Sequence, residues 1–230
     1  MGCKRLPGSP TAWSSCPNGG RDWRRWQCSC SFGGTGCDCR WGWTALICGV
    51  VLALLLPAAV AAVLFLILRP TVTAPETALW LLIPGLAIGS LGEELGWRGY
   101  LHKRLDPELR PLISSLLVGM LWGLWHIGSY ANGAAYMAFF VLLMIAYSLV
   151  LYWLVADRGF NVWIATAFHL SINITNLLFF DMIGGMPFII ASALVWLVVA
   201  AALVFWRRDL FFRPAKPDDM GATGAGLAEG

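Results

Sequence analysis

The sequence has few charged residues for its length. Of its 230 residues only 13% are Asp, Glu, Lys or Arg, 58% are hydrophobic, and the mean hydropathy is +0.68. An ordinary soluble domain carries about 25% charged residues, so the composition excludes that class and predicts an integral membrane protein. Because a spanning helix needs about 20 apolar residues, the chain has room for several spans in one membrane domain.

Other signatures are missing as well. The net charge is only +3, and beyond residue 40 no long basic run alternates with aromatic residues, so we expect no nucleic-acid partner. The His-Glu-x-x-His signature of zinc enzymes does not occur in the sequence. We find no internal repeat of the kind typical of inverted-repeat transporters.

Six hydrophobic segments are long enough to form membrane helices. They cover residues 43–68, 78–100, 112–130, 134–155, 160–180 and 187–206. We therefore predict an all-α integral membrane protein, a bundle of about six transmembrane helices. The basic residues lie mainly on one side of this bundle: Lys103, Arg104, Arg110, Arg158, Arg207, Arg208, Arg213 and Lys216. Since positive residues favour the cytoplasm, we expect both termini to be cytoplasmic and the membrane to be the plasma membrane.

The segments divide the chain into three parts. Residues 1–42 form an arm rich in Cys, Trp and Arg, residues 43–212 form the membrane domain, and residues 213–230 form a tail. We expect the arm and the tail to be disordered. In the arm, Cys28-x-Cys30 and Cys37-x-Cys39 differ in spacing from the Cys-x₂₋₄-Cys pattern of structural zinc, so we do not expect a metal site there.

Ionisable or amide side chains interrupt three of the hydrophobic segments. In chain order they are Glu93, Glu94, Arg98, His126, His169 and Asn173. Charge in the hydrocarbon of a bilayer is costly enough that such residues usually face the bundle interior or a wet cavity and serve in chemistry or transport. We therefore predict a polar intramembrane site and an enzyme that uses it.

Helical spacing predicts which of these side chains pair. Glu94 and Arg98 are four residues apart and share a helix face, so they can form an ion pair. Glu93 lies about 100° round the helix from Glu94 and has no basic residue on its own face, which leaves its carboxylate to act as a general base. His169 and Asn173 also share a face; Asn can donate to an oxyanion, and His can donate or bind a metal.

The order of these residues resembles that of a known family. Glu93-Glu94-x-x-x-Arg98, Trp122-x-x-x-His126 and His169-x-x-x-Asn173 are similar to the three motifs of the CPBP family, the CAAX prenyl protease and bacteriocin-processing intramembrane endopeptidases. The second motif usually starts with Phe, and Trp122 keeps a large aromatic side chain at that position. The resemblance covers the part of the chain from Pro75 to Phe180.

The resemblance implies a role for each matching residue. Glu93 and His126 would hold and activate the attacking water, and His169 and Asn173 would stabilise the oxyanion. Glu94, Arg98 and Trp122 would support the site. The substrate would be a protein or peptide that is membrane-associated or lipid-modified, cleaved among membrane lipids.

The resemblance leaves the need for a metal open. The family is commonly called a metalloprotease, and a metal-free glutamate mechanism is also argued for it. Glu93, His126 and His169 could hold Zn or another divalent metal, with water as the fourth ligand.

Two other functions fit the same residues. A catalytically idle relative could confer immunity by binding a bacteriocin, and a proton or cation transporter could use buried Glu and His side chains as relays. The intact set of Glu93, His126, His169 and Asn173 argues against the first. The concentration of polar residues at one place, and not along a path across the membrane, argues against the second.

Each feature taken alone also has a structural interpretation. The pair of Glu94 with Arg98 is more often structural than catalytic, and either imidazole could be a polar contact between helices. We expect His102, beside Lys103, to lie at the membrane interface. Five glycines are expected to permit close helix approach: Gly92, Gly96, Gly99, Gly119 and Gly123.

Overall fold

The computed structural model describes residues 39–70, 79–180 and 185–215. Within these ranges the regular structure is helical throughout. The long helices are α1 (Cys39–Leu68), α2 (Leu79–Glu94), α4 (Pro111–Trp125), α5 (Ala134–Val155), α6 (Val162–Phe179) and α7 (Met186–Trp206). The short ones are α3 (Lys103–Leu105) and α8 (Arg208–Phe211). A π-helix (Leu95–His102) continues α2, and 3₁₀ turns follow α4 (Ile127–Asn132) and α5 (Ala156–Arg158).

Four stretches of the described helices are long and apolar enough to cross a membrane. They are Trp43–Leu68, Ala134–Arg158, Val162–Phe179 and Met186–Trp206. The helix α4 is also apolar but has only 15 residues. The prediction of an all-α membrane protein is therefore confirmed, and the chain is an integral membrane protein.

The predicted segments agree with the long helices in order, but one ends earlier than expected. The third segment was predicted to reach Tyr130, whereas α4 ends at Trp125 because His126 has φ −76° and ψ 67°. The Nδ1 atom of His126 lies 2.8 Å from the main-chain oxygen of Trp122. Since the last carbonyl groups of a helix have no intrahelical donor, the imidazole caps one of them.

The second segment contains a feature that its sequence did not indicate. Leu95–His102, which cover the end of the segment and the two residues after it, form a π-helix in place of a regular α-helix. Stretches of π-helix are rare and occur frequently at functional sites. The predicted arm falls outside the described residues apart from 39–42, and the predicted tail apart from 213–215.

The helix α5 is the most buried of the four spanning helices. It packs against α4 and α7, while α6 packs against α1 and α2. At its centre the ring of Tyr147 meets Phe168 at 6.1 Å and Trp196 at 5.0 Å, both edge-on. Since lipid is as apolar as these helices, close packing and polar contacts select which helices become neighbours.

Two glycines bring α4 against α5. A Cβ atom on Gly119 would lie 2.5 Å from Ile145 Cα, and one on Gly123 would lie 2.9 Å from Val141 Cα. Neither distance is possible between real carbon atoms without a shift of the α5 backbone. The expected role in close approach is therefore confirmed at both positions, and these glycines flank Trp122 on α4.

On α2 and its π-helical extension, glycine permits close helix approach at one of the three predicted positions. A Cβ atom on Gly99 would lie 3.1 Å from Val162 Cγ2, which is a tight contact with α6. For Gly92 and Gly96 the prediction is wrong, because no atom of the described residues would lie within 4 Å of an added Cβ.

A polar cluster holds the loop after α3. Asp106 accepts hydrogen bonds from Arg213, at 2.8 Å to each carboxylate oxygen, and from the hydroxyl of Tyr152. His102 lies beside this cluster, with its ring 5.0 Å from that of Tyr152 and its Nε2 3.3 Å from Ser115 Oγ. It is fully buried, because α4 and α5 cover it, and its predicted depth at the membrane interface stays a prediction.

Gly119→Ala is expected to destabilise the protein, because the added methyl group would overlap the α5 backbone and overpacking costs about 1–3 kcal/mol. Thermal unfolding in detergent should show a lower Tm. Gly89→Ala is the matched control, since a Cβ there meets no atom of the described residues within 4 Å and Ala favours the helix. A Tm for Gly119→Ala equal to that of the control would contradict the close contact.

Candidate functional site

The two adjacent carboxylates at the end of α2 have different partners. Glu94 is fully buried, and its Oε1 accepts a hydrogen bond from Arg98 Nη1 at 3.0 Å. Glu93 is partly buried, and its Oε2 accepts a hydrogen bond from the indole Nε1 of Trp122 at 2.7 Å. The ion pair between Glu94 and Arg98 that the four-residue spacing predicted is therefore present. Glu93 has its hydrogen-bond partner on another helix, α4.

Glu94 also joins α2 to α6. Its Oε1 lies 3.0 Å from Nδ1 of His169, which is itself buried. An ionised carboxylate can only accept hydrogen bonds, so Nδ1 of His169 carries a proton. The other ring nitrogen, Nε2, then has a lone pair in the neutral ring and an N–H in the imidazolium.

The same argument shows which ring nitrogen of His126 carries a proton. Nδ1 of His126 faces the carbonyl oxygen of Trp122, which is an acceptor only, so this nitrogen also carries a proton. Both histidines therefore use Nδ1–H for a contact within the protein. Their Nε2 atoms remain to bind water or a substrate.

Trp122 lies at the centre of the cluster. The side chain is 1% exposed, and the Arg98 guanidinium carbon lies over its ring at 4.3 Å from the centroid. The ring meets that of His169 edge-on at 5.2 Å and lies 6.2 Å from that of His126. Together with its bond to Glu93, Trp122 contacts residues from all three sequence motifs.

Asn173 enters the cluster through a residue that the sequence prediction missed. Its Nδ2 donates a hydrogen bond to Ser90 Oγ at 3.2 Å, and Ser90 is 2% exposed. Ser90 lies four residues before Glu94, just as Asn173 lies four residues after His169. Two polar pairs one turn apart therefore connect α2 with α6. The signal in the sequence was the helical spacing between Ser90 and Glu94.

Glu93, His126 and His169, the three candidate metal ligands, do not form a metal-binding group in the structure. In the described ranges no three His, Cys, Asp or Glu side chains lie close enough to hold one metal ion. The carboxylate of Glu93 accepts a hydrogen bond from the indole of Trp122. The carboxylate next to His169 is that of Glu94, which already forms an ion pair with Arg98. In this arrangement Glu93, His126 and His169 do not fit a shared zinc ion.

These contacts define a helical membrane protein with a buried polar site shared by α2, α4 and α6. The sequence model of one family, described as "Type II CAAX prenyl endopeptidase Rce1-like", matches residues 75–175, which contain all three motifs. This match agrees with the resemblance to the CPBP family that the order of the motifs indicated.

Two curated proteins are similar to part of the chain. "CAAX prenyl protease 2" from Methanococcus maripaludis is 28% identical over 138 residues, which is 55% of this chain and 50% of that protein. "Lysostaphin resistance protein A" from Staphylococcus haemolyticus is 24% identical over 104 residues, which is 43% of this chain and 28% of that protein. The chain spans half or less of the length of these relatives, so their activities do not transfer by similarity alone.

Arg98→Ala is expected to destabilise the protein strongly. Glu94 would remain buried without its cation, and removing one partner of a buried ion pair costs about 3–5 kcal/mol. Chemical unfolding in detergent measures the loss. Arg104→Ala is the control, because Arg104 is exposed on α3 and its loss should cost little. Equal unfolding midpoints for the two variants would contradict a structural role for the pair.

Proposed function

We propose that this protein is an intramembrane endopeptidase that hydrolyses a peptide bond in a membrane-associated or lipid-modified protein or peptide. The observation that carries the proposal is the set of contacts around Trp122, which joins a carboxylate and two imidazoles from three helices in one cluster. The match of residues 75–175 to the Rce1-like family model supports it. Hydrolysis requires such a local group, whereas transport requires a path across the membrane.

Water activation would be the task of Glu93 and His126. Trp122 occupies Oε2 of Glu93, so Oε1 would accept a proton from a water molecule as the general base. Nε2 of His126, with its lone pair, would accept the second hydrogen bond of that water. The water oxygen then forms a bond to the carbonyl carbon of the peptide. Glu93 later returns the proton to the leaving nitrogen, and the C–N bond breaks.

Oxyanion stabilisation would be the task of His169 and Asn173. With Nδ1–H donated to Glu94, the imidazolium form of His169 offers Nε2–H to the negative oxygen. Asn173 gives one N–H to Ser90 and keeps a second for the same oxygen. Donors fixed in place before the reaction stabilise developing charge most effectively in a site without water. Glu94 and Arg98 would act by orienting His169.

The substrate class follows from the location and from the relatives. A site within an integral membrane protein suits a substrate that is held at the membrane by a lipid group or by its own apolar segment. The family description and the name of the first relative both refer to CAAX prenyl substrates, so a prenylated C-terminal tail is our first choice. We further propose that the protein lies in the plasma membrane with both termini in the cytoplasm.

Glu93→Gln is expected to abolish cleavage and preserve the fold, because the amide keeps the shape of the side chain but cannot accept the proton. A fluorogenic peptide with a prenylated CAAX tail serves as the probe. Glu94→Gln is the matched variant at the next position, and we expect it to lower stability together with activity, since it leaves Arg98 unpaired. Full cleavage by a folded Glu93→Gln protein would reject the mechanism, and retention of biological activity without cleavage would favour the binding function.

Asn173→Ala is expected to lower kcat by about 10²–10³, the usual effect of losing one oxyanion donor. KM should change little, because the donor acts in the transition state. Asn132→Ala is the control, since Asn132 is exposed and its side chain donates to the main-chain oxygen of Ser129 in its own turn. A fall in kcat of less than about threefold, well below that scale, would count against Asn173 as an oxyanion donor.

A further inference from the structure

The indole of Trp122 makes a short hydrogen bond to the carboxylate that we propose as the base. The distance of 2.7 Å between Nε1 and Glu93 Oε2 is at the short end for N–H···O bonds, as is typical when the acceptor is charged. The two residues are 29 positions apart in the sequence and lie on α2 and α4. The bond therefore restrains Glu93 from a separate helix.

The ring that carries this N–H is itself fixed. The Arg98 guanidinium lies over one face at 4.3 Å from the centroid, a distance at which a cation is attracted to an indole ring. The ring centroid of His169 lies 5.2 Å from that of Trp122, and the ring centroid of Tyr147 lies 6.3 Å from it. Since the side chain is 1% exposed, it has no space to turn, and the direction of its N–H is set by the core.

The main chain of the same residue orients the second residue of the proposed water-activating pair. The carbonyl oxygen of Trp122 accepts the Nδ1–H of His126 at 2.8 Å, which sets both the tautomer and the direction of Nε2. Trp122 thus contacts Glu93 through its side chain and His126 through its backbone. A single buried residue fixes the relative position of the two groups.

We propose that Trp122 is a positioning residue for water activation: its indole N–H holds Glu93 Oε2 so that Oε1 meets the water bound by His126. This inference rests on the proposed endopeptidase function. A glutamate side chain at the end of a helix otherwise samples several rotamers, and a displacement of about 1 Å in such a group can lower a rate by about 10²-fold. A phenylalanine would fill most of the same space without holding the carboxylate.

Trp122→Phe tests the role, because it keeps an aromatic ring and removes the N–H. We expect kcat for the prenylated fluorogenic peptide to fall about 10- to 100-fold while KM stays within about twofold, the result of misplacing a catalytic group. A purely structural role would lower the Tm without a separate fall in kcat, and a kcat within about twofold of that of the unchanged protein would overturn the proposal.

Trp196→Phe is the matched control. Trp196 is 2% exposed and packs on Tyr147 and Phe168, so it loses a similar volume from the same core. We expect a lower Tm for both variants and the fall in kcat of about 10- to 100-fold for Trp122→Phe alone. The same fall in kcat in both variants would overturn the proposal.

A readout without activity tests the hydrogen bond itself. In protein with ¹⁵N-labelled tryptophan, the indole signal of Trp122 is assigned by its loss in Trp122→Phe, and Glu93→Gln should move it upfield because a neutral acceptor binds the proton less strongly. An unmoved signal would overturn the positioning role and leave the proposed function standing. Full cleavage by Glu93→Gln would overturn the proposed function whatever the signal does.

Discussion

The buried ion pair between Glu94 and Arg98 is the interaction on which the rest of the site depends. Both side chains are inaccessible to solvent, and in an apolar interior an unpaired charge costs several kcal/mol. Any packing that separates the two is therefore strongly disfavoured. Because Glu94 also contacts His169, the same carboxylate that neutralises Arg98 fixes where α6 meets α2.

Polar contacts of this kind set the register of helices that apolar packing alone would leave open. In a membrane the surrounding lipid is as apolar as the helices, so burial does not select one helix face over another. Ser90 with Asn173 and Glu94 with His169 form two pairs one turn apart. A shift of α6 by a single residue would break both pairs at once. The register of α6 against α2 is thus specified by hydrogen bonds.

Trp122 adds the third helix to this arrangement. The Arg98 guanidinium packs on its ring, so the ion pair supports the tryptophan, and the tryptophan in turn holds Glu93. Gly119 and Gly123 allow α4 to pack closely against α5, and this contact places the part of α4 around Trp122 in the core. Structural and functional roles are therefore connected. The ion pair between Glu94 and Arg98 stabilises the fold, and through Trp122 it also helps to position Glu93, the proposed catalytic carboxylate.

The sequence by itself determined the class of the fold, the order of the long helices and the candidate residues of the site. Long apolar runs can satisfy their backbone in a bilayer only as helices, and the spacing of Glu94 and Arg98 predicts their pairing. Tertiary structure alone decided where α4 ends, that His102 is buried, that Trp122 donates to Glu93, and that Ser90 contacts the site. The physical reason is that spacing along one helix defines faces, whereas partners on different helices depend on how closely those helices approach.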